Sequence, residues 1–192
     1  MVDLLTIGIL ALDFIISVWN SYAAGYNISL LYKEDKVGLT LLVWISSICA
    51  LILGFVGTTY VISTVIGFIL YSFSYISGDI LTALLAINFL VFGFLITVLG
   101  IIITIESVVM AVKRHNLSSI LVSIFNVVAS IWNVFNYISN FGAVGDLLRG
   151  EDKDSKDYAI LIIAVATVIS LIITYLAFHM GMNRGERADG SF

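Results

Sequence analysis

The chain has 192 residues, of which 60% are hydrophobic and 11% are charged, with nine Lys and Arg against thirteen Asp and Glu. A soluble domain is roughly 45–50% apolar and about 25% charged, and it has no room to hide such an excess of apolar side chains from water. The composition therefore excludes a soluble enzyme, a nucleic-acid-binding protein and a disordered chain. It predicts an all-α, polytopic membrane protein in contact with the lipid bilayer.

Charged residues divide the first half of the chain into apolar stretches that are long enough to cross a bilayer. We expect a first span over 4–24 and a loop over 25–36. The next stretch, 37–78, contains no Asp, Glu, Lys, Arg or His. As one helix it would be about 63 Å long, twice the bilayer core. We therefore expect two spans here, joined by a turn at the glycine-rich sequence 54–58.

The second half of the chain is predicted to contain three more spans. Asp79 is expected to cap a helix that begins near Ile80 and continues toward Lys113. Two further spans follow at 118–139 and 158–180, separated by a charged loop over 141–157. The expected total is about six spans, or five if 37–78 forms a single helix. Residues 1–183 then make one transmembrane domain, and 184–192 form a polar tail.

An internal repeat is the most informative feature of the sequence. The sequence Ser-x-Trp-Asn begins four residues after Asp13 and again four residues after Asn126, at 17–20 and at 130–133. Downstream, both copies contain Leu-Leu-x-x-Glu-Asp-Lys before an apolar stretch, at 30–36 and at 147–153. We interpret this as a duplicated two-helix unit, with repeat A at about 4–56 and repeat B at about 117–180. Six spans predict a parallel repeat, whereas five predict copies that run in opposite directions.

The repeated motif places polar residues on one face of a membrane helix, because positions i, i+4 and i+7 share a face. Such a stripe must face protein or water, since an Asp at the centre of a bilayer costs about 2.5–3.5 kcal/mol. Two interpretations stay open for it: a polar path for an ion, proton or solute, or hydrogen bonds between helices. Including Asn88 at a comparable depth, the candidate site residues are Asp13, Ser17, Asn20, Asn88, Asn126, Ser130 and Asn133.

Three further features of the sequence carry weaker expectations. Small residues at 93, 97, 100 and 104 predict a seam for close helix packing. Glu106 is expected at or beyond the membrane interface, with its charge solvated. Trp19 and Trp132 are expected to anchor their spans at the interface.

The sequence favours two functions and predicts no enzyme. The first is a small oligomeric channel or a proton- or cation-linked transporter, with its polar path near Asp13. The second is a non-catalytic accessory subunit of a larger membrane complex. No cofactor or metal is expected, because neither of the two histidines has a ligand-type partner at helical spacing. The expected partners are the lipid bilayer and either further copies of the chain or other membrane subunits.

Overall fold

The computed structural model describes residues 4–31, 37–115 and 117–187, and almost all of them are helical. The elements in chain order are α1 (Leu4–Leu31), α2 (Val37–Ser72), α3 (Gly78–Ile87), a π-helical segment (Asn88–Gly93), α4 (Phe94–Arg114), α5 (Leu117–Gly150) and α6 (Lys153–Arg187). α3, the π-helical segment and α4 form one continuous rod, which we name the third span. Among the described residues, five helices are thus long and apolar enough to cross a membrane. Their length and apolar composition make the chain a multi-pass α-helical membrane protein, with five spans in the part that the structure describes.

The turn predicted at 54–58 is wrong, because α2 continues through it as an unbroken helix. Its glycines serve helix packing instead. A Cβ atom at Gly54 would lie 2.6 Å from the backbone oxygen of Ser17 on α1, and one at Gly57 would overlap the Ser17 hydroxyl. The glycines therefore let the backbones of α1 and α2 approach closely, as small residues do between membrane helices.

Two predicted loops also belong to helices. α1 continues past the loop start expected at Gly25, since this glycine packs against the backbone of Phe178 on α6. α5 continues through the loop expected from Phe141 as far as Gly150. The first residues of the expected polar tail, 184–187, extend α6, while 32–36 and 188–192 lie outside the described residues.

Helix starts are set by side chains that accept hydrogen bonds from free backbone N–H groups. Ser77, and not the expected Asp79, caps α3, because its Oγ accepts a bond of 3.3 Å from the N–H of Ile80. Asp152 of the repeated Glu-Asp-Lys sequence caps α6, where its Oδ1 accepts a bond of 2.6 Å from the N–H of Ser155.

The helices pack as an arc with α2 at its centre. α2 contacts α1 and α6 on one side and the third span on the other. A small apolar core of Ala83, Leu84, Ala159 and Ile162 joins α3 to α6. Within the described part of the chain, α5 packs only against the third span. In this part, α5 is therefore attached to the bundle through the third span alone, whereas α6 contacts α1, α2 and α3.

α6 buries a single stripe of small residues along its whole length. Every third or fourth residue faces the bundle, while large apolar side chains between them point outward. The buried positions are Ser155, Ala159, Ile162, Ala166, Ser170, Thr174, Ala177, Gly181 and Gly185. At its C-terminal end the stripe meets α1, and a Cβ atom at Gly181 would overlap the backbone oxygen of Tyr22. Close backbone packing of this kind holds α1 and α6 together.

Five spans also decide the direction of the repeat. α1 is the first span and α5 is the fourth, so two spans lie between them and the two helices cross the membrane in opposite directions. The parallel relation expected for six spans is therefore replaced by the antiparallel relation expected for five.

Candidate functional site

A large cleft, mainly apolar but with two rows of polar side chains, separates α1 from α5. Its volume is about 1220 Å³, its walls are α1 and α5, and α2 and the third span form its floor. The two wall helices make no contact with each other in the described part of the chain. We name this cavity the α1–α5 cleft.

Six of the seven predicted site residues line this cleft, three from each copy of the repeated motif. They are Asp13, Ser17 and Asn20 on α1 and Asn126, Ser130 and Asn133 on α5. The polar stripes thus face each other across one space, and Trp19 and Trp132 stand at its rim. Both tryptophans are exposed and lie near the middle of their helices, and not at a helix end.

Asn88 is the exception among the predicted residues, since it does not line the cleft. It is fully buried at the start of the π-helical segment, where its Nδ2 donates to Ser63 Oγ at 2.8 Å and to Thr64 Oγ1 at 3.1 Å. The side chain therefore ties the third span to α2. Its Oδ1 atom is buried without a partner in the described part of the chain.

On the α1 wall, the serine hydroxyl bonds to its own helix. Ser17 Oγ donates to the backbone oxygen of Asp13 at 2.7 Å, one turn earlier. This local bond satisfies the hydroxyl and lets Ser17 pack against Gly57. Asp13 itself is half-buried and lies near Tyr60 of α2 at the cleft surface.

On the α5 wall, polar groups bond across to the third span. Thr104 Oγ1 donates to the backbone oxygen of Asn126 at 2.9 Å and lies 2.6 Å from Ser130 Oγ. Tyr137 donates its hydroxyl to the backbone oxygen of Leu90 at 3.0 Å, and its ring stacks on Phe89 with a centroid distance of 5.4 Å. Leu90 belongs to the π-helical segment, in which carbonyls lack their usual α-helical partners. These bonds attach α5 to the rest of the bundle.

Contacts between neighbouring helices set the relative depth of the two motif copies. Ser21 of α1 lies opposite Gly54 of α2, and Ser63 of α2 lies opposite Asn88. On the other wall, Ser130 lies opposite Gly100.

Because adjacent spans are antiparallel, these contacts can be extended along each helix at 1.5 Å per residue. They place Asn20 and Asn133 at the same depth in the cleft, with Trp19 and Trp132 beside them. The matching asparagines of the two copies therefore face each other across the cleft. The two-helix units around them differ, since α1 packs on α2 whereas α5 makes no contact with α6 in the described part of the chain.

Glu106 also lines the cleft, at a position that differs from the one expected from the sequence. The expectation of a solvated charge is wrong, because Glu106 is 4% exposed at the floor of the cleft. Neither of its carboxyl oxygens has a hydrogen-bond partner in the described part of the chain, although Ser46 of α2 lies beside it. The sequence carried no signal for this burial, because the distance of Glu106 from the start of the predicted helix indicated the membrane interface instead.

The charged lining of the cleft is entirely acidic. Of the described residues that line it, only Asp13 and Glu106 carry an ionisable acid, and none is Lys, Arg or His. Asp13 lies near Tyr60 and Glu106 lies near Ser46, two positions of α2 that are about 21 Å apart along the helix axis. One carboxyl therefore stands toward each end of the cleft.

The remaining polar lining offers neutral oxygen and nitrogen atoms from Asn, Ser, Thr and Tyr side chains. No group of three or more His, Cys, Asp or Glu residues with metal-binding geometry occurs among the described residues. Comparison of the chain with protein-family models, curated proteins and solved structures finds no match.

Proposed function

We propose that the protein is a small channel or a proton- or cation-linked transporter, and that the α1–α5 cleft is its polar path. One observation carries the proposal: two copies of one polar motif face each other across a single cleft, on helices that run in opposite directions. Packing alone requires no such pairing, since α6 packs tightly with a plain stripe of small residues.

The antiparallel repeat supports transport over a purely structural role. Many transporters are built from inverted repeats, and their binding sites lie at the interface between the repeats near the bilayer midplane. In this protein the interface is the cleft, with Asn20 and Asn133 at its centre. An inverted repeat also gives each end of the path a similar set of groups.

The charge of the lining favours a cation as the transported or coupled species. A cleft lined by one sign of charge, with apolar walls, concentrates counter-ions. Asp13 and Glu106 supply negative charge to this cleft, and no cationic side chain among the described lining residues offsets it.

The distribution of cations along the chain supports an orientation. Five spans put six Lys and Arg on the side that holds the C-terminus and three on the side that holds the N-terminus. The first group is Lys33, Lys36, Lys113, Arg114, Arg184 and Arg187, and the second is Arg149, Lys153 and Lys156. Loops rich in Lys and Arg stay in the cytoplasm. We infer a cytoplasmic C-terminus, with Glu106 at the cytoplasmic end of the cleft.

A second candidate function is that of a non-catalytic accessory subunit in a larger membrane complex or homo-oligomer. The bonds of Thr104 to Asn126 and Ser130 favour it, because they show that part of the α5 stripe holds helices together. Under this alternative the open α1–α5 cleft receives a helix of another subunit.

The experiment that separates the two functions measures proton, Na⁺ and K⁺ flux in liposomes containing the full-length protein. Asp13→Asn keeps the shape of the side chain and removes its charge, so the transport proposal expects loss of most of the flux with unchanged assembly in native mass spectrometry. The matched control is Asp146→Asn, since Asp146 is exposed and lies outside the cleft. Unchanged flux in Asp13→Asn, with altered assembly or co-purifying subunits, would instead support the accessory role.

A further inference from the structure

Glu106 is the most unusual side chain in the described part of the bundle. Its two carboxyl oxygens are buried and make no hydrogen bond of ordinary geometry in the described part of the chain, although the hydroxyl and backbone N–H of Ser46 approach them from α2. A buried carboxylate is normally paired or fully hydrogen-bonded, because leaving an ion without a partner in an apolar environment costs several kcal/mol or more. Glu106 therefore has fewer hydrogen bonds than a buried carboxylate requires.

Among the described residues, no Lys or Arg lies beside Glu106 to take the place of a hydrogen-bonded partner. Ser46 and Cys49 of α2 lie near it, and Cys49 is the titratable group there. The described α1 and α5 residues that line the cleft are uncharged except Asp13, which stands near the other end. On its own helix, the first cation is Lys113, two turns further on. None of the described residues therefore supplies a neutralising charge, so the candidates are a proton or a cation that enters the cleft.

A cation that enters the cleft comes close to this carboxyl, since Glu106, Ser46 and Ser107 all line the cleft. Carboxylate and hydroxyl oxygens are hard ligands that suit hard cations. A single carboxylate balances a single positive charge. A divalent ion would keep an excess charge in an apolar site, and no second acidic or histidine ligand stands with Glu106 among the described residues.

We propose that Glu106, with Ser46 beside it, forms a binding site for a monovalent cation at the end of the α1–α5 cleft opposite Asp13. The cation that neutralises the carboxylate is a proton or Na⁺. The site goes beyond the proposed function, since Glu106 can bind a cation whether or not the protein moves ions across the membrane.

The test uses full-length protein in phosphatidylcholine nanodiscs and dicyclohexylcarbodiimide as the probe. This apolar reagent adds to a carboxyl group that carries a proton and leaves an N-acylurea, which mass spectrometry assigns to a residue. We expect modification of Glu106, with loss of the label as the pH is raised. At constant pH and ionic strength, replacement of choline by Na⁺ removes the label if the site takes Na⁺ and leaves it unchanged if the site takes only protons.

Variants make the test specific to this site. Glu106→Gln should abolish the label, and Asp13→Asn should retain it, because the two carboxyls stand near opposite ends of the cleft. Ser46→Ala should shift the pH or Na⁺ concentration at which half of the label is lost, with Ser47→Ala as its neighbouring control. Ser47 bonds to the backbone of its own helix.

A second measurement, of thermal unfolding, tests the same site without a reagent that has to reach Glu106. A cation that binds only the folded protein raises the thermal unfolding midpoint as its concentration increases, so a change of pH or Na⁺ should move the midpoint of the natural protein and move that of Glu106→Gln much less. The proposal is overturned if Glu106 does not react in a cation-dependent way and both proteins respond equally. That result leaves the flux test of Asp13→Asn untouched, so the two proposals fail separately.

Discussion

The two walls of the α1–α5 cleft carry the same motif but are held in the protein by different forces. α1 has a neighbour on each side, and its backbone lies against those of α2 and α6 at Gly54, Gly25 and Gly181. α5 has the third span as its neighbour, and side chains such as Ser130 and Tyr137 make the connection. Close backbone packing is spread over many atoms, whereas each polar bond between membrane helices contributes only about 0.6 kcal/mol on average.

One motif thus has a different packing role on each wall. Ser17 of the α1 copy donates its hydroxyl to its own helix, and its side chain packs closely against Gly57 of α2. The serine of the α5 copy is used to hold another helix. α1 is consequently the fixed wall and α5 the weakly held wall, so a change in the width of the cleft would move α5.

The largest expected effect comes from adding one methyl group to each wall. Gly25→Ala on α1 places a Cβ against the backbone of Phe178, and we expect a loss of about 1–3 kcal/mol in the free energy of unfolding. The matched control is Gly145→Ala on α5, where no neighbouring atom lies within 4 Å. Reversible unfolding in mixed micelles should show no loss for the control. Equal losses in the two variants would contradict the distinction between the walls.

A smaller effect is expected from the hydroxyl of Tyr137. Tyr137→Phe keeps the ring on Phe89 but removes the bond to the backbone of Leu90, at an expected cost of about 1 kcal/mol. The same unfolding measurement applies, with Tyr175→Phe as a control on the exposed face of α6. If α5 is the weakly held wall, Tyr137→Phe should also increase hydrogen exchange in α5 more than in α1. An even increase in both helices would argue against it.

The smallest effect is expected at the two equivalent serines. Ser130→Ala loses the contact with Thr104 and should cost about 0.6 kcal/mol, while Ser17→Ala loses only a bond within its own helix and should cost close to nothing. A double-mutant cycle with Thr104→Val isolates the contact, since coupling to Ser130 should be measurable and coupling to Ser17 absent. A larger loss of unfolding free energy in Ser17→Ala than in Ser130→Ala would contradict the roles assigned to the two walls.

The candidate site was largely predictable because its residues share one helix face. Helical periodicity alone put Asp13, Ser17 and Asn20 on one stripe, and the repeat identified the second. Glu106 belongs to no such pattern. Its burial depends on where α2 and α5 lie relative to the end of the third span, and that position is a property of the packed bundle.

Apolar composition and helical periodicity are local properties, so the helical membrane class and the polar stripes of the two motif copies were predictable from the sequence. The position of Gly54 within a helix, the opposite directions of α1 and α5 and the burial of Glu106 depend on how the helices pack. A glycine permits both a tight turn and a close approach of two backbones. Which of these it supports depends on whether a neighbouring helix, here α1, is present to fill the space beside it.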